Sequence, residues 1–192
     1  MNSPDYQQTR ALVVGLGKSG LSAVRYLRAQ GASVAVTDTR ATPPELARLR
    51  EFDSGINVRL GGFDAALLEH ANLLVVSPGV PIHGEFFAAA RARHLTIVGD
   101  VELFARAAQA PVAGITGTNG KSTVTTLLGR IAARAGKQVR VGGNLGEPAL
   151  DLLDGNAELY VLELSSYQLE TTESLQLRAG VILNLSADHL DR

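Results

Sequence analysis

Short apolar runs recur along the chain, separated by longer stretches in which apolar residues fall at helical spacing. Residues 11–14, 33–36, 73–76 and 96–98 are the clearest runs, and each is followed by an amphipathic stretch. A continuous apolar run suits a strand buried on both faces, and its alternation with helices predicts βαβ units around a parallel sheet. Residues 103–110 are Ala-rich and stop at Pro111, after which 112–115 open a new strand. A domain boundary is therefore expected near 105–111, dividing the chain into units of 1–107 and 108–192. In the second unit Val124, Leu127, Leu128, Ile131, Ala132 and Ala135 recur at helix spacing, so a helix is expected to pack on a sheet there, with Gly136 as its C-cap. Residues 158–162 and 180–183 complete the predicted strands.

Composition narrows the function classes. The 192 residues are 45% apolar, ample for packed cores. Lys plus Arg number 18 against 19 Asp plus Glu, which offers no broad basic surface for a nucleic-acid backbone. Any phosphate binding must then be local. The absence of Cys excludes a disulfide framework, a thiolate metal site and a Cys nucleophile, and suits a reducing compartment. Residues 1–10 are polar and lack the apolar core of a signal peptide. No apolar run approaches the roughly 20 residues that span a bilayer. The expectation is a soluble, cytoplasmic protein with no nucleic-acid partner and no membrane span.

Two loops carry candidate phosphate chemistry. Gly15-Leu-Gly-Lys-Ser-Gly20 follows the first predicted strand and opens a helix, and Asp38 ends the next strand, at the spacing of a ribose-binding acid. Glycines let the backbone approach a diphosphate, and the helix N-terminus supplies unpaired N–H groups. By itself this pattern leaves three readings open: a dinucleotide site of an NAD-dependent oxidoreductase, a nucleotide-sugar diphosphate site, and a tight turn with no ligand.

The second loop, Thr116-Gly-Thr-Asn-Gly-Lys-Ser-Thr123, also joins a strand to a helix and has Walker A chemistry at Gly120-Lys121-Ser122. Lys121 is expected to reach the β/γ-phosphate oxygens and the Ser122 hydroxyl to ligate Mg²⁺. The general pattern wants Gly at position 115, where this chain has Ile115. Glu163 ends an apolar strand beside this loop, either as a Mg²⁺-organising acid or as an ordinary solvated strand end. His189, between Asp188 and Asp191, follows the last predicted strand and is a ligand candidate because the same sheet edge carries Lys121 and Glu163. His70, His83 and His94 are read as surface residues.

Together these residues resemble the Mur ligase family, on Ile115-Thr-Gly-Thr-Asn-Gly-Lys-Ser-Thr123, Gly142-Gly-Asn-Leu-Gly146, Glu163, and Asn184 with Asp188-His189. Folylpolyglutamate synthetases share the first of these. Leu162-Glu-Leu-Ser-Ser-Tyr-Gln-Leu-Glu170, Ser77-Pro-Gly-Val80 and Asp38-Thr-Arg40 are similar to the D-glutamate-adding branch of the family. The resemblance implies an α/β fold: a Rossmann-like parallel-sheet domain followed by a truncated P-loop NTPase-like α/β domain. It also implies an ATP-dependent amide ligase of peptidoglycan synthesis. The carboxylate of UDP-N-acetylmuramoyl-L-alanine attacks the γ-phosphate of ATP, and the amine of D-glutamate then displaces phosphate from the acyl phosphate.

Carried over by position, Lys18, Ser19, Asp38, Thr39, Arg40, Ser77 and Gly79 are expected to hold the UDP end. Asn144, Ser165, Gln168 and His189 are expected to guide the muramoyl-alanine end. Gly117, Thr118, Asn119, Gly120, Lys121, Ser122 and Thr123 are expected to bind ATP. Lys121, Glu163 and His189 are the expected catalytic residues, with Ser122 and Glu163 serving one Mg²⁺ and His189 a second. Relatives commonly have an apolar residue where this chain has Lys18. The family's C-terminal amino-acid-binding domain, and the later part of its central domain, are expected to lie outside this sequence. The 192 residues alone are therefore expected to bind without turnover, and a binding module without catalysis remains the alternative class.

Overall fold

The computed structural model describes residues 6–187. Within them two parallel sheets form, one from each half of the chain. The first has the order β3-β2-β1-β4-β5, from β1 (Arg10–Val14), β2 (Ser33–Asp38), β3 (Asn57–Leu60), β4 (Leu73–Val76) and β5 (Thr96–Gly99). All four pairings are parallel, with Val13 opposite Val36 on one side and Val75 on the other. β1 is central and apolar, so it is buried on both faces, as the unbroken run predicted. The crossovers are α1 (Lys18–Ala29), α2 (Leu46–Phe52), a short 3-10 turn (Ala65–Glu69), and α3 (Glu85–Ala92).

α4 (Asp100–Ala107) leads from β5 to the second sheet. That sheet has the order β7-β8-β6-β9, from β6 (Val112–Thr116), β7 (Val139–Gly143), β8 (Leu159–Glu163) and β9 (Ala179–Ile182), again all parallel. Two further helices accompany it, α5 (Lys121–Arg134) and the one-turn α6 (Ser166–Leu169). Gly136 ends α5 as predicted, at φ 83°, with the Lys137 amide donating to Ala132 O and its own amide to Ala133 O. These paired bonds are a Schellman motif, which needs a left-handed residue at that position.

Three sequence expectations change. β3 and β7 were not anticipated; both are edge strands whose residues are only partly buried or exposed over most of their length. The apolar stripe of α5 is only half used, for Val124 and Leu128 pack on the second sheet while Leu127 and Ile131 stay more than half exposed. Finally, the two halves are not separate cores. Val13, Leu27, Phe104, Tyr160 and Leu162 belong to one buried cluster, in which Phe104 of α4 meets Tyr160 of β8 edge to face at 5.0 Å. Ser22 of α1 also donates a 2.6 Å hydrogen bond to Asp151. Among the described residues no helix is long and apolar enough to cross a membrane.

Candidate functional site: two phosphate-type loops facing a shared wall

In an open parallel sheet, ligands bind beyond the carboxyl ends of the strands, where the strand order reverses. In the first sheet that point is the gap between β1 and β4, and the Gly15–Gly20 loop fills its edge. Position 20 admits only glycine, since a Cβ there would stand 2.0 Å from the Gly15 carbonyl oxygen. The Ser77 hydroxyl, after β4, donates to that same carbonyl at 2.7 Å and braces the loop.

Asp38 ends β2 and is only 2% exposed. Its carboxylate accepts hydrogen bonds from the Leu16 amide at 2.7 Å, the Arg40 amide at 2.8 Å, and the Arg40 guanidinium at 2.9 and 2.6 Å. A carboxylate has about four lone-pair sites. All are taken within the protein, so Asp38 clamps the loop and Arg40 together. Burial alone would raise the Asp38 pKa, but the hydrogen bonds from Arg40 and Leu16 and the guanidinium charge outweigh it and hold the carboxyl below its ordinary value. The same pairing raises Arg40.

These residues border a cavity of about 580 Å³. Lys18, Ser19, Asp38, Thr39, Arg40, Ser77 and Gly79 line it from the first sheet, and Asn144 and Gln168 line it from the second. The expected UDP-end residues are thus brought together, with Lys18 and Arg40 as cations at the wall.

The second loop leaves β6 and enters α5. Gly117 takes φ 135°, a conformation L side chains rarely adopt, and a Cβ there would crowd the backbone of Leu183 and Asn184 at 3.0–3.1 Å. Asn184 laces this loop in place. Its side-chain oxygen accepts from the Asn119 amide at 2.9 Å, its amide group donates to Asn119 O at 2.9 Å, and its carbonyl accepts from the Thr118 amide at 3.1 Å. The Thr118 and Asn119 amides are therefore committed to the protein. The amides at the start of α5 are the ones a helix leaves for an anion. Lys121 Nζ lies back across the loop, donating to Gly117 O at 2.7 Å and Thr118 O at 3.1 Å.

Glu163 ends β8 next to this loop and is 3% exposed, so it is not a solvated strand end. It accepts from the Ser122 hydroxyl at 2.7 Å and the Asn144 amide at 2.8 Å. Both partners are neutral, and among the described residues no cation forms an ion pair with it. A buried carboxylate is costly without a compensating positive charge. An oxygen-rich pair, Ser122 and Glu163, beside a phosphate-type loop fits a hard divalent cation. A second cavity of about 410 Å³ opens here, lined by Gly117, Thr118, Lys121, Asn144 and Ser165 among others. Asn144 thus lines both cavities and touches Glu163.

The profile described as Mur ligase MurD-like, N-terminal domain matches residues 9–99, and that of the Mur ligase middle domain matches residues 115–192. The chain belongs to the Mur ligase family. Among similar relatives, the UDP-N-acetylmuramoylalanine--D-glutamate ligase of Nitrosococcus oceani is 54% identical, over 100% of this chain and 43% of the relative. The protein of the same name from Marinobacter nauticus is 57% identical, over 95% of this chain and 41% of the relative. This Mur ligase chain thus spans about two fifths of the length of those relatives. Solved structures share its fold. The UDP-N-acetylmuramate:L-alanyl-gamma-D-glutamyl-meso-diaminopimelate ligase from Neisseria meningitides superposes with TM-score 0.60 at 22% identity, covering 95% of this chain and 62% of that one. The UDP-N-acetylmuramate-alanine ligase from Thermotoga maritima gives 0.57 at 23% identity, covering 95% and 43%.

Two features of this candidate site escaped sequence reasoning. Ser165-Ser-Tyr-Gln168 is a capping box: Gln168 N donates to the Ser165 hydroxyl at 3.2 Å, and Ser165 N donates to Gln168 Oε1 at 3.1 Å. Its spacing, Ser then Gln three residues on, was visible in the sequence. It splits the two residues between the cavities, Ser165 lining the second and Gln168 the first. The pinning of the second loop by Asn184 had no local signal, because its partners are 65 residues away. His189, expected as catalytic, substrate-guiding and metal-binding, lies outside the described residues, as do Asp188 and Asp191. Among the described residues no group of three or more His, Asp and Glu is gathered to hold a metal.

Proposed function

We propose that this chain is the donor-substrate and ATP-binding part of a ligase that joins D-glutamate to UDP-N-acetylmuramoyl-L-alanine. The observation that carries this is the pair of phosphate-type cavities with Asn144 in the wall of both. One chain needs two such cradles only if it handles two phosphorylated ligands, and a shared wall brings the far end of one towards the reactive end of the other. The relatives' printed name supplies the acceptor, D-glutamate.

In this reading the unit 1–107 holds the uridine diphosphate end, with Arg40 and Lys18 as its cations and Ser19, Thr39, Ser77 and Gly79 shaping the wall. Asn144, Ser165 and Gln168 direct the muramoyl-alanine carboxylate towards the second cavity. The unit 108–192 binds ATP on the loop from Gly117 to Thr123. Lys121 leaves the Gly117 and Thr118 carbonyls and stabilises charge on the migrating phosphoryl group, a transfer that depends mainly on positioning and electrostatics. Ser122 and Glu163 would hold Mg²⁺, which when bound neutralises phosphate charge. Asn144 orients Glu163 through its 2.8 Å bond. The carboxylate attacks the γ-phosphorus, ADP departs, and the resulting acyl phosphate is then open to the amine of D-glutamate. A cytoplasmic setting accords with ATP as a substrate and with a chain free of Cys.

The test is calorimetric titration of the chain with UDP-N-acetylmuramoyl-L-alanine, with ATP and Mg²⁺, and with NAD. Saturable binding of the first two and none of NAD is expected. Binding of NAD in place of the UDP ligand would overturn the assignment.

A further inference from the structure

The start of α4 grips the segment that carries Gln168. The Gly99 amide donates to Thr171 O at 3.1 Å, and a Cβ on Gly99 would stand 2.2 Å from the Thr171 hydroxyl oxygen. One turn on, the buried Glu102 carboxylate accepts from the Glu173 amide, the Ser174 amide and the Ser174 hydroxyl, each at 2.8 Å. Between these two anchors lies Asp100, which is 1% exposed. The groups facing its carboxyl are the Ser19 hydroxyl, from the first loop, its own and the Val101 backbone amides at the start of α4, and the Gln168 side chain, from the second sheet's unit. None completes a well-aligned hydrogen bond with it, and both Asp100 oxygens lack a partner among the described residues. Gln168 Oε1 is already committed to Ser165, so the amide NH₂ is the group left for Asp100. Ser19 and Gln168 both line the 580 Å³ cavity, and Asp100 stands behind them.

We propose that Asp100 is a positioning residue for this cavity: its carboxyl ties the Ser19 hydroxyl to the Gln168 amide and so sets the distance between two walls supplied by different sheets. A group on α4 is suited to this, because α4 packs on α1, which carries Ser19, and on α6, which carries Gln168. Burial pushes the Asp100 carboxyl above its ordinary value. A carboxyl carries two oxygens with several acceptor positions between them, so it can serve an amide NH₂ and a hydroxyl together. Glu102 has a different task, anchoring the same segment through backbone amides without touching the cavity residues. The inference rests on the proposed use of the cavity for the nucleotide-sugar ligand.

The experiment is calorimetric binding of UDP-N-acetylmuramoyl-L-alanine to the 192-residue chain and its variants, with circular dichroism to confirm folding. Asp100→Ala is expected to weaken binding by about tenfold or more, while Asp100→Asn, which keeps a donor and an acceptor in the same shape, stays within about threefold. In a double-mutant cycle the Asp100→Ala and Ser19→Ala losses are expected not to multiply, because each breaks the same tie. Glu102→Gln with Ser19→Ala is expected to multiply, as independent perturbations do. A folded Asp100→Ala chain with unchanged affinity, or losses that multiply with Ser19→Ala, overturns the proposal. If Asp100→Ala does not fold, Asp100→Asn decides, and a loss beyond about tenfold there overturns it. Failure of the unsubstituted chain to bind the ligand refutes the proposed function and removes the premise on which the role of Asp100 stands.

Discussion

Replacing Asp38 with Ala separates a clamp from a ligand contact. The carboxylate is buried and accepts four hydrogen bonds, two of them from the Arg40 guanidinium and one from the Leu16 amide inside the first loop. Truncation leaves the Leu16 N–H buried without an acceptor, at a cost of about 1–3 kcal/mol. The ion pair adds at most about 1 kcal/mol, because Arg40 is half exposed and its charge is screened by solvent. Removing a buried carboxylate recovers part of its desolvation cost, so the net loss is on the order of 1–3 kcal/mol. For a chain of this size that lowers the thermal midpoint by about 2–12 °C. Thermal unfolding followed by circular dichroism, without ligand, measures it. Were Asp38 instead a ribose ligand, the ligand-free protein would melt unchanged and only nucleotide affinity would fall. An unaltered midpoint in Asp38→Ala would therefore refute the clamp.

In a protein of the relatives' length, Lys121→Ala is expected to cut turnover by at least about 100-fold with a much smaller change in UDP-ligand affinity, since the ammonium acts on developing charge; parallel losses would point to misfolding. Glu163→Gln is expected to shift the Mg²⁺ dependence of ATP binding to higher concentration, and an identical Mg²⁺ titration would refute the metal role. Burial would raise the Glu102 pKa, but amides of Ser174 and Glu173, the Ser174 hydroxyl and Arg106 outweigh it and hold it below its ordinary value. Its stabilisation is then complete above the unfolded value, about 4.3, and is lost as pH falls through the lower folded value. Glu102→Gln should accordingly destabilise the chain at pH 7 and lose that effect once pH has fallen through the lowered folded value, and a pH-independent loss in denaturant melts would contradict this. His94 closes a Schellman motif after α3 at φ 55°, so His94→Gly should raise stability by about 1 kcal/mol, and a lowered melting point would show that its side chain contributes there.

By itself the sequence determined the alternation of buried strands and helices, the position of both glycine loops, and the strand ends that deliver Asp38, Ser77 and Glu163. These are local features. A strand buried on both faces must be apolar throughout, and a loop that presses backbone against backbone must place Gly at fixed offsets, as Gly20 does against Gly15. The family was legible for the same reason, since its motifs are contiguous runs of residues.

What only the tertiary structure decided depends on partners distant in the chain. Residues 57–60 and 139–143 read as polar-interrupted stretches, and they are strands because a sheet edge accepts residues exposed on one side. Helical spacing could not say which half of the α5 stripe would find a partner, and Leu127 and Ile131 remain exposed. The spacing of Asp38 suggested a ribose contact, yet the arrival of Leu16 and Arg40 at the same carboxylate fills every acceptor position. Asn184 pins a loop 65 residues before it, and Glu102 anchors amides more than 70 residues after it. No local pattern marks such residues, because a carboxylate or carboxamide has the same covalent form in solvent and in a clamp; the neighbours brought by folding fix what it does.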